Sequence, residues 1–165
     1  MRRKTHFLTE AATIAALYVL LTYLSAILGL SSGAVQLRFS EALCILPLFT
    51  PAAVPGLFFG CLLANLLTTA AIWDILFGAL ATLIGALGTY LLRRRSRYLA
   101  TLPPILANTL VIPFVICAME GQFTLALYFG FALTILIGEL ISCGVLGLLL
   151  YRPCEKYADV LFKNR

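Results

Sequence analysis

Charge is what this sequence has least of. Of its 165 residues, 12% are Asp, Glu, Lys or Arg and 62% are hydrophobic. A soluble domain carries roughly 25% charged residues. There is too little polar surface here to cover a water-soluble globule, so lipid must be the solvent for most of the chain. Histidine occurs once, as His6 in a basic N-terminal stretch. The five cysteines (Cys44, Cys61, Cys117, Cys143 and Cys154) form no CxxC pair and no His/Cys cluster. No metal is expected, and the thiols read as small buried apolar groups. The sequence has no GxxxxGK[ST] loop, so it does not hydrolyse ATP by a P-loop. It also has no HExxH motif. An enzyme is not expected, and energy for any pumping must come from an ion gradient or from partner subunits. No convincing internal repeat is visible, which weakens the case for an inverted-repeat secondary transporter.

What is present is length in apolar runs. A helix needs roughly 20 apolar residues to cross a bilayer. Residues 7–30, 72–92, 102–119 and 123–151 each meet that need. The first run follows Met1-Arg2-Arg3-Lys4, but it exceeds the roughly 7–15 residues of a signal-peptide core. Ala26-Ile27-Leu28 is also a poor cleavage site, so a retained helix is expected. Residues 38–69 are too many for one crossing at about 1.5 Å per residue. They are broken by Pro47 and by Thr50-Pro51 and Pro55-Gly56, so two short spans are expected there.

Charge parity supports that division. Lys and Arg accumulate on cytoplasmic loops. Arg2, Arg3 and Lys4 place the N-terminus inside, and Arg93, Arg94, Arg95 and Arg97 place a later loop inside as well. An even number of crossings must separate the two groups, which requires residues 38–69 to cross twice. Two more spans return the chain to Arg152, Lys156, Lys163 and Arg165. Eleven of the twelve Lys and Arg residues then share one side, with Arg38 the exception. The expected fold is a single all-α integral membrane domain over residues 1–165, with six transmembrane helices and N-in/C-in topology. The outer connections are short, at 31–37, 69–71 and 120–122. Trp73, Tyr128 and Phe129 are candidate interfacial anchors.

An ionisable residue within the membrane is expensive and marks a candidate site. Gln36, Arg38, Ser40, Glu41, Asn65, Trp73 and Asp74 map to the outer half. Glu139 lies near the middle of the last run, Asn108 lies nearer the inside, and Glu120 falls in the outer turn. A polar cavity open to the outside, with Glu139 at its floor, would unite them. Carboxylates and Asn suit a flat polar ligand, on which Trp73 or Tyr128 would stack. The bland alternatives are Arg38 and Asp74 in the headgroup region, an Arg38–Glu41 pair three residues apart, and Asn65 and Asn108 as interhelical hydrogen-bond partners. In the first run, Ala11, Ala12, Ala15 and Ala16 form two overlapping small-xxx-small pairs. These suit close helix approach within the protein or with a partner.

The stretch Val35-Gln36-Leu37-Arg38-Phe39-Ser40-Glu41-Ala42-Leu43, the proline-rich block from Phe49-Thr50-Pro51 to Ala64-Asn65, and Trp73-Asp74-Ile75-Leu76-Phe77-Gly78 together resemble the QueT family. Leu102-Pro103-Pro104, Asn108 and Ile137-Gly138-Glu139 fit the same resemblance, which spans nearly the whole chain. It implies a six-helix substrate-binding (S) subunit of an energy-coupling factor transporter, an ATP-binding-cassette importer of the vitamin-uptake type in the bacterial cell membrane. The implied partners are a transmembrane coupling (T) subunit and two cytoplasmic ATPases. The chain itself would use no cofactor and bind no nucleic acid. Ala11–Ala15 or Ala12–Ala16 matches the helix motif by which such subunits dock, and toppling within the membrane would carry the ligand inward. The implied ligand is a 7-deazaguanine, either queuine or its cyano or aminomethyl precursor. A guanine-like edge offers adjacent N–H donors that a carboxylate accepts in pairs. Glu139 or Glu41 is expected to read that edge. The other carboxylate, or Asp74, would meet an aminomethyl cation, and Asn65 the ring carbonyl. The competing readings are a stand-alone proton-coupled carrier using Glu139 and a structural membrane protein with no ligand.

Overall fold

The computed structural model describes residues 2–30, 36–68 and 71–162, and no strand occurs among them. Residues 31–35 and 69–70, expected in two outer connections, and Lys163 and Arg165, expected at the inner face, lie outside the described residues.

The first helix, α1 (Arg2–Ile27), stops where the sequence supplies a residue that tolerates a left-handed backbone. Gly29 has φ 70°. Its N–H donates to the Ala26 carbonyl and that of Leu30 to the Ser25 carbonyl, each at 3.0 Å. This is the hydrogen-bond pattern of a glycine-terminated helix.

The stretch over residues 38–69 divides into two helices. The first is a 3-10 helix, Phe39–Leu48, and the second is α2 (Ala53–Thr68). Pro47 lies inside the 3-10 helix rather than ending it, because proline's fixed φ near −65° suits that conformation. The break comes one turn later, at Thr50-Pro51. Runs of 3-10 helix longer than three or four residues are uncommon. At a rise of about 2.0 Å per residue, these ten residues cover roughly 20 Å instead of the roughly 15 Å of α-helix. The segment is buried continuously from Ser40 to Pro47.

Beyond it come α3 (Ile72–Leu91), the single turn α4 (Arg97–Ala100) and α5 (Leu102–Met119). Ser96 caps α4 by accepting from the Tyr98 N–H. Pro103 and Pro104 occupy the first turn of α5, where their missing donors cost nothing. The last long span runs Leu125–Lys156 over 32 residues. It consists of α6 (Leu125–Glu139), a π-helical stretch Leu140–Leu146, and α7 (Gly147–Lys156). The short α8 (Ala158–Leu161) follows, and the Phe162 ring stacks on Phe49 at 5.5 Å.

Neighbours pack in the order α1, α2, α3, α5, α6. The 3-10 helix fills the centre against α1, α3, the π stretch and α7. Among the described residues, four helices, Lys4–Ile27, Ile72–Leu91, Arg97–Met119 and Leu125–Lys156, are long and apolar enough to cross a membrane, and the 3-10 helix and α2 are shorter apolar helices. Leu8, Leu20, Leu67, Leu110 and Leu133 are all exposed, while Glu41, Asn65 and Glu139 are buried. An apolar exterior around a polar interior needs lipid outside it. The protein is an all-α membrane protein.

The α1–α2 contact depends on glycine. A Cβ at Gly56 would lie 2.8 Å from the Ala11 carbonyl oxygen, and one at Gly60 would lie 3.0 Å from Ala15 Cα and 2.8 Å from Tyr18 Cβ. Ala11 and Ala15 therefore face α2 inside the protein, whereas Ala12 and Ala16 are exposed. Gly60→Ala is expected to destabilise the fold by about 2 kcal/mol. Overpacking against backbone costs up to about 3 kcal/mol, and the better helix propensity of alanine returns about 1. A fall in the detergent melting temperature measures this; an unchanged or raised value would contradict the close-approach reading.

Candidate functional site

The site is built outward from a stripe of hydroxyl groups on α1. Tyr18, Thr22 and Ser25 recur at helical spacing in an otherwise apolar helix, and all three are buried. The Ser25 hydroxyl accepts the N–H of Phe39 at 2.9 Å, satisfying a donor that the start of the 3-10 helix leaves unpaired. Thr22 and Ser40 hydrogen-bond to one another at 2.8 Å, and the Tyr18 hydroxyl donates to Glu41 Oε1. The other Glu41 oxygen accepts from the Cys44 thiol at 3.2 Å. The Glu41 backbone carbonyl accepts from Cys143, also at 3.2 Å. Glu41 is thus held by α1, by its own helix and by the π stretch. Tyr18→Phe leaves one oxygen of this buried carboxyl group without its donor. It is expected to cost about 1.5–3 kcal/mol, read as a lowered melting temperature; an unchanged one would mean that the hydroxyl contributes nothing.

Glu139 closes the opposite wall. It sits at the α-to-π transition, and such local widenings of a helix often occur at functional sites. Asn108 on α5 donates from Nδ2 to Glu139 Oε1 at 2.8 Å. Among the described residues, Glu139 Oε2 and the Ser142 hydroxyl are buried with no hydrogen-bond partner. A buried acceptor left unsatisfied costs roughly 1–3 kcal/mol, so both groups are poised to receive a ligand's donors or water.

Together with Arg38, Glu41, Asn108 and Thr82, these groups line a chamber of about 30 Å³, room for one or two water molecules. Above it is a vestibule of about 370 Å³ formed by the ends of α1, α2, α3 and α5 and lined in part by Asp74, Thr68 and Met119. Gln36, Arg38 and Ile112 border both spaces. The Arg38 guanidinium donates to Asn65 Oδ1 at 3.1 Å, and Asn65 Nδ2 donates to the Asp74 backbone carbonyl at 3.4 Å. Arg38 is therefore tethered to Asn65 rather than paired with Glu41. The vestibule falls within the size range of small-molecule pockets, roughly 300–1,000 Å³, while the chamber is closed to anything larger than water.

The structure brings together Glu139, Glu41, Arg38, Asn65 and Asn108, with Asp74 at the vestibule wall. It does not bring in Trp73, which is 57% exposed and whose ring lies against Phe77. Its helix-end position on the outer surface aims the indole away from the interior, so it suits an interfacial anchor and not a stacking platform. Tyr128 likewise sits among Phe123 and Phe129 on the exterior and donates to the Leu110 carbonyl. Tyr18, Thr22, Ser25, Thr82, Ser142 and the thiols of Cys44 and Cys143 escaped the sequence reading. The i, i+4, i+7 spacing of the α1 hydroxyls was the signal available. Among the described residues, Glu41, Cys44 and Cys143 bring one donor atom each within 4.8 Å of one another. The two thiols are engaged in hydrogen bonds to Glu41, and a structural zinc site takes four ligands.

The fold and site define an all-α membrane protein with a small polar interior chamber bordered by a vestibule at one end of its helices. The chain belongs to the QueT transporter family, whose profile matches residues 8–156. It is 33% identical over 83 residues to the queuosine precursor transporter QueT of Lactococcus lactis subsp. cremoris (strain MG1363). That match covers 50% of this chain and 48% of the relative, so the chain spans about half the length of the curated relative it matches. No solved structure matches the chain.

Proposed function

We propose that this protein is the substrate-binding subunit of an energy-coupling factor importer and captures a 7-deazaguanine queuosine precursor. The observation that carries the reading is the chamber itself, where a buried carboxylate oxygen of Glu139 and the Ser142 hydroxyl await donors. Membership of the QueT transporter family and the likeness to the Lactococcus queuosine precursor transporter support the substrate class. In this reading the chain crosses the bacterial plasma membrane six times, with both termini inside. The stretched 3-10 helix would serve as one short crossing and α2 as the next. The ligand enters from the vestibule, displaces the Arg38 side chain from Asn65, and presents its N–H edge to Glu139. Releasing Asn65 Oδ1 frees an acceptor for a ligand N–H, and Asn65 Nδ2 would exchange the Asp74 carbonyl for the ring carbonyl. Two carboxyl groups, Glu41 and Glu139, face one guanidinium, so a cationic aminomethyl substituent is complemented by charge.

In this reading transport depends on a coupling subunit and two ATPases. Ala12 and Ala16 offer the docking surface, since Ala11 and Ala15 are occupied by α2. The test is thermal stabilisation of the purified protein across 7-deazaguanines and B-vitamins, because a true ligand stabilises by mass action. Stabilisation by queuine or its precursors alone is the expected result; a shift with a B-vitamin instead would overturn the substrate class. Uptake that persists in cells lacking the ATPases would favour a proton-coupled carrier using Glu139.

A further inference from the structure

A second polar cavity lies at the other end of the bundle, far from the chamber in the chain's architecture. It measures about 820 Å³ and lies between the α3–α4 connection, the end of the 3-10 helix and α7. Arg93, Arg94, Arg95 and Arg97 all line it, against the single carboxylate of Glu155. Two of these guanidinium groups are seated on aromatic rings. Arg93 lies 3.8 Å from the Tyr90 ring centroid and donates to the Tyr90 carbonyl at 3.0 Å. Arg97 lies 5.2 Å from the ring centroids of both Tyr98 and Tyr151. Glu155 accepts from the Tyr151 hydroxyl at 2.8 Å. Stacked guanidinium groups have fewer rotamers to lose on binding an anion. Topology alone would ask only for positive charge in this loop, not for a lined cavity with its cations braced.

The surroundings decide which anion fits. The arginines follow directly on the apolar end of α3. Leu91, Leu99 and Leu102 stand exposed around them, Leu91 at 74%. Cations flanked by exposed apolar side chains match a phosphate that carries acyl chains. We propose that this groove binds the headgroup of an anionic phospholipid, with the phosphate held by the arginines and the chains lying along Leu91 and Leu102.

The test is native mass spectrometry of protein taken from vesicles holding equal phosphatidylglycerol and phosphatidylcholine. Retention of phosphatidylglycerol in excess is expected. Removing two cations with Arg93→Gln and Arg97→Gln should weaken its binding by about 30-fold, at the affinity typical of one basic residue near an anionic surface. Arg94→Gln with Arg95→Gln removes the same charge without touching the stacked pair, and should weaken binding too. Millimolar inorganic phosphate should leave the lipid in place. Equal retention of the two lipids by the wild-type protein would overturn the proposal without any variant. Displacement by inorganic phosphate would reassign the groove to a soluble anion, and displacement by an acidic peptide at lower concentration than phosphatidylglycerol would reassign it to a protein partner.

Discussion

Glu139→Gln is expected to remove nearly all of the thermal stabilisation that a 7-deazaguanine confers, while the unliganded protein stays folded. The substitution is isosteric, and a glutamine oxygen still accepts from Asn108 Nδ2, now at 2.8 Å from Glu139 Oε1. The oxygen with no partner, Oε2, becomes an amide nitrogen that turns a donor toward the ligand's own N–H groups. Hydrogen bonds to charged groups contribute about 1.5–3 kcal/mol each, so affinity should fall by about 100-fold. At a ligand concentration of about 100 Kd, wild type gains about 2.7 kcal/mol by mass action, and the variant would gain about 0.4. Calorimetry or a melting curve with and without ligand reads the difference. A variant that keeps the full shift would transfer the recognition role to Glu41, whose oxygens are engaged by Tyr18 and Cys44 in the unliganded protein.

Ala12→Leu and Ala16→Leu are expected to abolish copurification of the coupling subunit and ATPases while sparing ligand binding in detergent. Both alanines are exposed on α1 one turn apart, where small side chains permit close helix approach. A leucine in such a seam costs roughly 1–3 kcal/mol per site, so the pair should lower association by about 30- to 10⁴-fold. Ala15→Leu is not an equivalent test, because Ala15 abuts Gly60 and its enlargement pushes α1 off α2. If Ala12→Leu and Ala16→Leu copurify their partners at wild-type levels, the exposed face of α1 is not the docking surface. Loss of ligand binding in the same variants would instead point to a packing role.

Much of the site could be read from residue type. Glu41, Asn65, Asn108 and Glu139 stood out because hydrocarbon does not tolerate them without partners, and they are all buried. Trp73 stood out for two roles, and its exposed indole suits the anchor. An aromatic at a helix end satisfies both an anchor and a stacking role, and only the direction of the side chain separates them. The α1 hydroxyls were passed over because Tyr, Thr and Ser are individually cheap in an apolar helix. Their importance lies in a shared face, which pins the 3-10 helix through Ser25, Thr22 and Tyr18.

Composition and charge by themselves determined that this chain lives in lipid, that its residues 38–69 divide near Thr50-Pro51, and which few side chains are costly enough to demand a reason. Those are bulk and local properties, set by transfer free energy and by proline's missing donor. The tertiary structure decided the rest. It spent Ala11 and Ala15 on α2 and left Ala12 and Ala16 outward. It stretched one segment into a 3-10 helix and widened another into a π-helix, and each change redirects the side chains that follow. It also joined Cys143 to Glu41 across 102 positions in the chain. No local pattern encodes a contact of that separation, because it depends on how all the helices pack at once.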